Sequence, residues 1–387
     1  MQARFEDRID IRYLNILITT QFGGVAGSTY SIYYLAKGLI EKGHKVIFAI
    51  PQGCFLASIC LDQQLPFRYV GFRNKLSSNS IREINQIIEE ESIDIVNPQE
   101  SRDRYNVIFS KIWFNWNAKI VLTRRQRVAD NNPLKRWLHV RFSSKIVVVS
   151  HGLQQHVVKK GFPEGHTHVI HNGLPTHHYL IEKNQITALQ ERYGFLKDDI
   201  VIGCVARIKG KKRQDLLIKA MSTCPAHWKI MFVGIKKADF QKKWPRLSLK
   251  GIEDRVVFTG IISDKLEMIH HYTLMSANVL PSEMDGFGLV LLEAMAMGVP
   301  VIGSNFGGIP DVIKHDQNGY IFSNHNSEQL AAQIKAVVVD QSVRSRFISE
   351  GYKTALNKFS IQQTIDHYEE FFKRIIQNKD IGKREMQ

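Results

Sequence analysis

Two acids, Asp285 and Glu293, stand eight positions apart in the stretch Pro281–Ser304, PSEMDGFGLVLLEAMAMGVPVIGS. A glycine-bearing turn and an apolar run separate them, which predicts a helix beginning near Gly288 with Glu293 inside its first two turns. The first amides of a helix lack partners within it and carry the positive end of its dipole, so they attract anions. Acids on either side of such a site accept hydrogen bonds from sugar hydroxyls while the amides of Gly288, Leu289 and Val290 hold a phosphate. A nucleotide-sugar pocket needs that combination. Spacing alone also allows an ordinary loop and core helix before a buried strand.

A second constellation is CVARIKGKKRQDLLIKA. Arg207 falls at the end of an expected strand, and Lys212 follows five positions later, where the next helix starts. A guanidinium and an ammonium converging there can clamp a diphosphate and neutralise the charge that grows as a nucleotide departs. Lys209, Lys211 and Arg213 crowd the same loop, and not all five cations can be functional. A third piece is the glycine pair Gly23 and Gly24 after the first strand, where backbone can approach a ligand that a side chain would block. Many turns produce such a pair.

These residues need strand ends to hold them, and the chain supplies two series. LNILITT, KVIFAIP, DIVNP, KIVLT and KIVVVS alternate with helical patterns such as Ser28–Lys42; DIVIGCVAR, KIMFVG, RVVFTG, ANVLPS and VPVIGS follow HNGLP. Each series is long enough for one parallel sheet, so the chain is α/β with two doubly wound domains. The expected domains are 1–174, 175–359 and a closing segment 360–387, with an amphipathic helix from Ser360 to Ile376. A length of 387 residues and a 44% hydrophobic composition are enough for two cores. No apolar run approaches the roughly 18 residues of a membrane span. The start, MQARFEDRIDIR, is too charged for a secretory signal. Cys54, Cys60, Cys204 and Cys224 have neither metal-ligand nor redox spacing and read as reduced thiols in the cytoplasm.

The acid-to-acid string resembles the C-terminal signature of the retaining glycosyltransferases of family 4, which have the GT-B architecture of two Rossmann-like domains facing a cleft. The resemblance spans nearly the whole chain and is strongest from Val201 to Gly319. It implies that Glu293 binds the donor ribose and Asp285, shorter than the family's usual Glu, the donor sugar. It singles out Arg207 and Lys212 as the diphosphate clamp, leaving Lys209, Lys211 and Arg213 as surface charge. It sets Gly24 under the phosphates, with Gly23 shaping the turn, and Gly234 and Ile261 near the nucleobase. Gly307, Gly308 and Asn318-Gly319 read as structural turns, Asn172-Gly173 as the hinge, and the last helix as crossing back to the first domain. The reaction implied is transfer, with retention, from a UDP- or GDP-sugar, without metal or other cofactor, Arg207 and Lys212 supplying the charge that Mg²⁺ supplies elsewhere.

The acceptor side departs from the pattern. Asn97 and Gln99 stand where family members often carry His after the fourth strand, and Arg125 stands where a subgroup has His after the fifth. The departing phosphate then takes the acceptor proton in place of a base, as proposed for retaining enzymes of this type. Acceptor-side candidates are Asn97, Arg124, Arg125 and His151. Net charge is +15, much of it between Lys119 and Lys145, where Asp130 is the only acid. This basic stretch suggests an anionic glycan or glycolipid acceptor, such as lipopolysaccharide core or a lipid-linked oligosaccharide. Peripheral contact with an anionic membrane at the inner leaflet of a bacterium follows, and Arg124, Arg125 and Arg127 are the expected patch. A solvated basic face is the plain alternative. Other readings are a sugar-nucleotide epimerase of the same fold and a catalytically weakened glycan- or nucleotide-binding protein. Nucleic acid is not an expected partner, because no reading helix or aromatic-studded strand accompanies the charge.

Overall fold

The computed structural model describes residues 13–128, 132–175, 183–208, 211–247, 249, 251–262 and 264–377. The charged amino-terminal stretch 1–12, Asp130 and Lys209, invoked above, lie outside these residues, as do parts of the expected interdomain boundary and of the closing segment.

Among the described residues the first half builds strands β1 (Asn15–Thr19), β2 (Lys45–Ile50), β3 (Phe67–Tyr69), β4 (Ile95–Pro98), β5 (Lys119–Arg124), β6 (Lys145–Val148) and β7 (Thr167–Val169). The second half builds β8 (Val201–Val205), β9 (Lys229–Val233), β10 (Val256–Phe258), β11 (Ala277–Leu280), β12 (Val301–Ser304) and β13 (Tyr320–Phe322). The first seven form one sheet in the order β3-β2-β1-β4-β5-β6-β7, and the other six form a second in the order β10-β9-β8-β11-β12-β13. Every pairing between named strands is parallel. Parallel strands covered on both faces read as continuous apolar runs, as IVLT and KIMFV do.

In both sheets the order reverses beside the first strand, between β1 and β4 and between β8 and β11. A crevice opens at the carboxyl ends of the strands at such a point, and ligands bind there. The loops leaving β1 and β8 hold Gly23–Ala26 and Arg207, and the loop leaving β11 holds Asp285. Three strands went unread in the sequence. β3, β7 and β13 are three residues each, too short to display a period.

The closing helix, Ile361–Ile376, returns from the second half to pack on the first. Its Ile365, Tyr368, Phe371, Phe372 and Ile375 join the core of the first sheet with Ile32, Leu35 and Leu39 of the helix Gly27–Glu41. Where the chain crosses, the Leu174 amide donates to the Phe359 carbonyl (2.9 Å) and the Ile361 amide to the Leu174 carbonyl (2.8 Å). The Glu369 carboxylate grips this junction through Lys42, Lys373 and His44.

Phe372 is fully buried. Phe372→Ala is expected to cost about 3–5 kcal/mol and to lower the urea midpoint of the first half. An unchanged midpoint would contradict the helix as part of that core.

Candidate functional site

The helix foreseen near Gly288 runs Leu289–Ala296, and Gly288 at its N-cap has φ +95°. No side chain caps it. Across the cleft the helix Gly27–Glu41 also begins without a side-chain cap, after Ala26. The two starts face each other: a Cβ added to Gly27 would lie 3.6 Å from Leu289 Cδ1. Two sets of unpaired first-turn amides therefore border one space, and the field there favours an anion.

The predicted charged residues meet around that space. Lys212 forms an ion pair with Asp285. Glu293 is buried, with one oxygen paired to Lys265 and the other accepting from the Tyr272 hydroxyl at 2.9 Å. Lys265 Nζ also lies 5.9 Å from the centre of the Tyr30 ring. Arg207 is exposed and leans across the cleft, Nη1 donating to the Val25 carbonyl at 3.5 Å. Gly24 lies in the facing loop, its carbonyl accepting from Thr29 Oγ1 at 2.6 Å. Gly23 is buried against Cys54. Gly234 ends β9 with φ +85°, its amide donating to Thr259 Oγ1 at 3.1 Å. Ile261, beyond β10, is 69% exposed, an apolar surface free to meet a flat ligand. Leu289 and Val290 are half-exposed in the first turn of their helix.

Lys265 and Tyr272 escaped the sequence reading, since nothing in their local pattern ties them to Glu293. Arg213 is a correction. Expected as surface charge, it takes the left-handed conformation (φ +48°), chelates Asp215 at 2.9 and 3.0 Å and pairs with Glu283. It braces the loop that presents Lys212.

The acceptor side needs more correction. Asn97 is fully buried, its Nδ2 donating to the Val121 carbonyl (2.6 Å) and Thr123 Oγ1 (2.9 Å) while its Oδ1 accepts from Gln99 (2.5 Å). With its amide spent inside the sheet, it cannot meet an acceptor. Arg124 and Arg125 are buried as well, so they are not the membrane-facing patch expected with Arg127. Arg125 hydrogen-bonds Gln99, Arg124 hydrogen-bonds Nδ1 of His139, and both line a cavity of about 230 Å³. Arg104, which the sequence reading passed over, joins them there.

The two halves meet where glycine lets backbones touch. A Cβ on Gly152 would overlap the Gly307 carbonyl, and one on Gly286 would overlap the Arg125 carbonyl. Ser150 Oγ donates to the Gly286 carbonyl at 2.7 Å. Beside this seam, Asp311 Oδ2 accepts from the His151 amide (2.8 Å) and contacts His151 Nδ1 (2.9 Å) and His171 Nε2 (2.7 Å). His151, an expected acceptor ligand, is thus engaged in an interdomain latch. Burial alone would raise the Asp311 pKa, but hydrogen bonds from His171 and His151 outweigh it and hold the carboxyl below its ordinary value. Among the described residues these three are the one group arranged to hold a metal ion, and in this geometry their ligand atoms already serve each other.

Comparison with known proteins bears on both halves. Residues 25–178 match the model of "Glycosyltransferase Family 4" and residues 185–354 that of "Glycosyl transferases group 1". The chain is 24% identical, over 94% of its length and 98% of the relative's, to N-acetyl-alpha-D-glucosaminyl L-malate synthase of Bacillus anthracis. Its fold is similar to Anabaena HepE solved with UDP and glucose (TM-score 0.81, 19% identity, 93% of this chain and 99% of that one). It is also similar to a glycosyltransferase of Rickettsia africae (TM-score 0.84, 20% identity, 95% and 99%).

Because its carboxyl pKa is depressed, Asp311 contributes docking energy that is present above about pH 4 and fades as pH falls through the lower native value. At neutral pH, Asp311→Ala should remove about 1 kcal/mol per hydrogen bond and open the cleft. Small-angle X-ray scattering should then give a larger radius of gyration; an unchanged radius would contradict the latch.

Proposed function

From the premise that this chain is a glycosyltransferase of the GT-B fold, we propose that it transfers a sugar, with retention at the anomeric carbon, from a nucleoside diphosphate donor to an acceptor held on its first half. The observation that carries this reading is the convergence of Arg207, Lys212 and two uncapped helix starts on one cleft at the carboxyl ends of both sheets.

In this reading the diphosphate lies between the first-turn amides and the two cations. Lys212 begins paired with Asp285. A diphosphate offers it more negative charge, so the ammonium turns to the phosphates and frees Asp285 to accept from the donor sugar's hydroxyls. Glu293 keeps Tyr272 as a partner and accepts from the ribose hydroxyls. Arg207, Lys212 and the amides then meet the charge that develops on the leaving group, which is where preorganised donors accelerate reaction most. With these cations doing the work of a metal, turnover is proposed not to need one. The departing phosphate takes the acceptor proton, consistent with the absence of a His at positions 97, 99 and 125. Gly234 and Ile261 border the base, UDP and GDP being the donor nucleotides proposed.

A sugar-nucleotide epimerase acts on the donor alone and has no use for a second cavity. The cavity behind Arg124 and Arg125, one residue across the seam from Asp285's neighbour Gly286, favours a transferase. The acceptor class is proposed to be an anionic glycan or glycolipid. Peripheral membrane contact is proposed through the helix Pro133–Phe142 in place of the buried arginines.

Slow hydrolysis of UDP-glucose and GDP-mannose by the purified full chain, followed by proton NMR, tests the reaction. The α-anomer should be released first, with the same rate in EDTA. First release of the β-anomer would contradict retention, a rate lost in EDTA would contradict metal-independence, and no nucleotide release from any donor sugar would contradict the transferase itself.

A further inference from the structure

Among the described residues, the cavity of the first half is lined by eight Lys or Arg residues and one acid, Glu100. We propose that it is the binding site for a phosphate monoester on the acceptor, gripped by Arg104 and Arg125 with Lys75 at the rim; the word acceptor rests on the transferase reading above, whereas the phosphate site stands on the cavity's own geometry.

Arg104 and Arg125 are 7% and 9% exposed. Arg104 Nη2 donates to the carbonyls of Gln99 (2.5 Å) and Thr123 (2.7 Å), and Arg125 Nη1 donates to the Gln99 side chain. These bonds fix the two guanidinium planes but spend only part of each fork. Nε of both residues is buried without a hydrogen-bond partner. Among the described residues no carboxylate lies within ion-pair distance of either one. Burial disfavours both charges, and Asp103 and Glu100 act on Arg104, and Glu100 on Arg125, through space without forming an ion pair with them. A buried cation that no acid contacts is costly, and a chain retains two side by side at the expense of stability unless an anion joins them. His139 in the same wall cannot add to the charge: burial, then the field of Arg124, pushes its pKa down to about 2.

Charge and size select the ligand. A single carboxylate would leave one guanidinium uncompensated, whereas a phosphate monoester carries about −1.5 to −2 at pH 7 and three acceptor oxygens. Arginine forks suit those oxygens better than ammonium groups do. At about 230 Å³ the cavity is smaller than the ~300–1,000 Å³ of ordinary ligand pockets, so it takes a compact head and not a glycan chain. Position links it to the reaction. The Arg125 carbonyl abuts Gly286, the residue after Asp285, and the Arg127 guanidinium lies 4.4 Å from the centre of the Phe306 ring. A phosphate seated here holds the attached hydroxyls beside the donor sugar.

The monoester has two sources in principle, a soluble phosphorylated molecule or a lipid. The helix Pro133–Phe142 contributes Lys135 and Arg136 to the lining, while Leu134 and Trp137 are 71% and 54% exposed on its outer side beside exposed Arg141. Apolar and basic side chains on one helix suit the headgroup layer of an anionic membrane.

Calorimetry of inorganic phosphate against the full chain at pH 7 tests the proposal. Wild type and Lys212→Ala should bind it alike, Arg125→Gln at least tenfold more weakly, and Lys75→Ala, an exposed position whose loss leaves the core intact, about threefold more weakly. No binding to wild type, unaltered binding in both Arg125→Gln and Lys75→Ala, or loss in Lys212→Ala would overturn it. Displacement by ribose 5-phosphate supports a soluble source and displacement by phosphatidic acid in phosphatidylcholine vesicles a membrane source; displacement by neither would overturn the claim that the cavity admits an ester. UDP titrated into the same samples separates the two readings, because failure of the transferase reading appears as lost UDP binding with phosphate binding intact.

Discussion

The backbones of the two halves touch without side chains between them, and the rest of the site depends on that contact. Gly152 against Gly307 and Gly286 against Arg125 leave no room for a Cβ, so the carboxyl ends of both sheets sit close enough for Gly27 to face Leu289 and for Arg207 to reach Val25. Ser150 and the Asp311 latch add polar bonds at the same seam. The closing helix holds the far side, with its apolar face sunk in the first core. One apolar cluster also runs through both halves, with Val149 and Leu153 of the first and Phe287 and Ile309 of the second among its members. Motion is expected as a hinge about the crossing chain near Leu174, with the cleft opening at the seam.

Within that cleft the charges are arranged as pairs that a ligand can exchange. Lys212 with Asp285 and Lys265 with Glu293 are each half-shielded, so neither acid waits as an isolated buried charge, which would be costly. The Arg213 brace has another character. It bridges Asp215 and Glu283 from a strained backbone conformation, holding the loop and leaving Lys212 free to turn. The first half differs: among the described residues, the buried guanidinium groups of Arg104 and Arg125 make no ion pair with a carboxylate. In the proposed reading, donor and acceptor each bring an anion to the positive charge that borders the space between the halves.

The sequence disclosed the parts of this site that are local. Asp285, Glu293, Arg207 and Lys212 lie at strand ends and helix starts whose patterns are readable within a few residues, and the two-sheet architecture follows from apolar runs at regular intervals. The three-residue edge strands β3, β7 and β13 carry no such pattern, whereas β10, equally short, lies in the readable run RVVFTG. Nor did the sequence indicate direction at the carboxyl end of a parallel strand, where both faces are covered. Asn97 and Arg124 look alike there as polar residues after an apolar run, yet one is consumed within the sheet and the other lines a cavity. Lys265 and Arg104 were invisible for a different reason: their significance comes from partners far along the chain.

Calorimetry of UDP and GDP binding to wild type and to Lys212→Ala tests the central claim most directly. If the cleft clamps a diphosphate by exchanging Lys212 from Asp285 to phosphate, one nucleotide binds wild type and its affinity falls by at least tenfold, about 1.4 kcal/mol, in the mutant. Equal affinity in both proteins, or binding of neither nucleotide, would contradict the account.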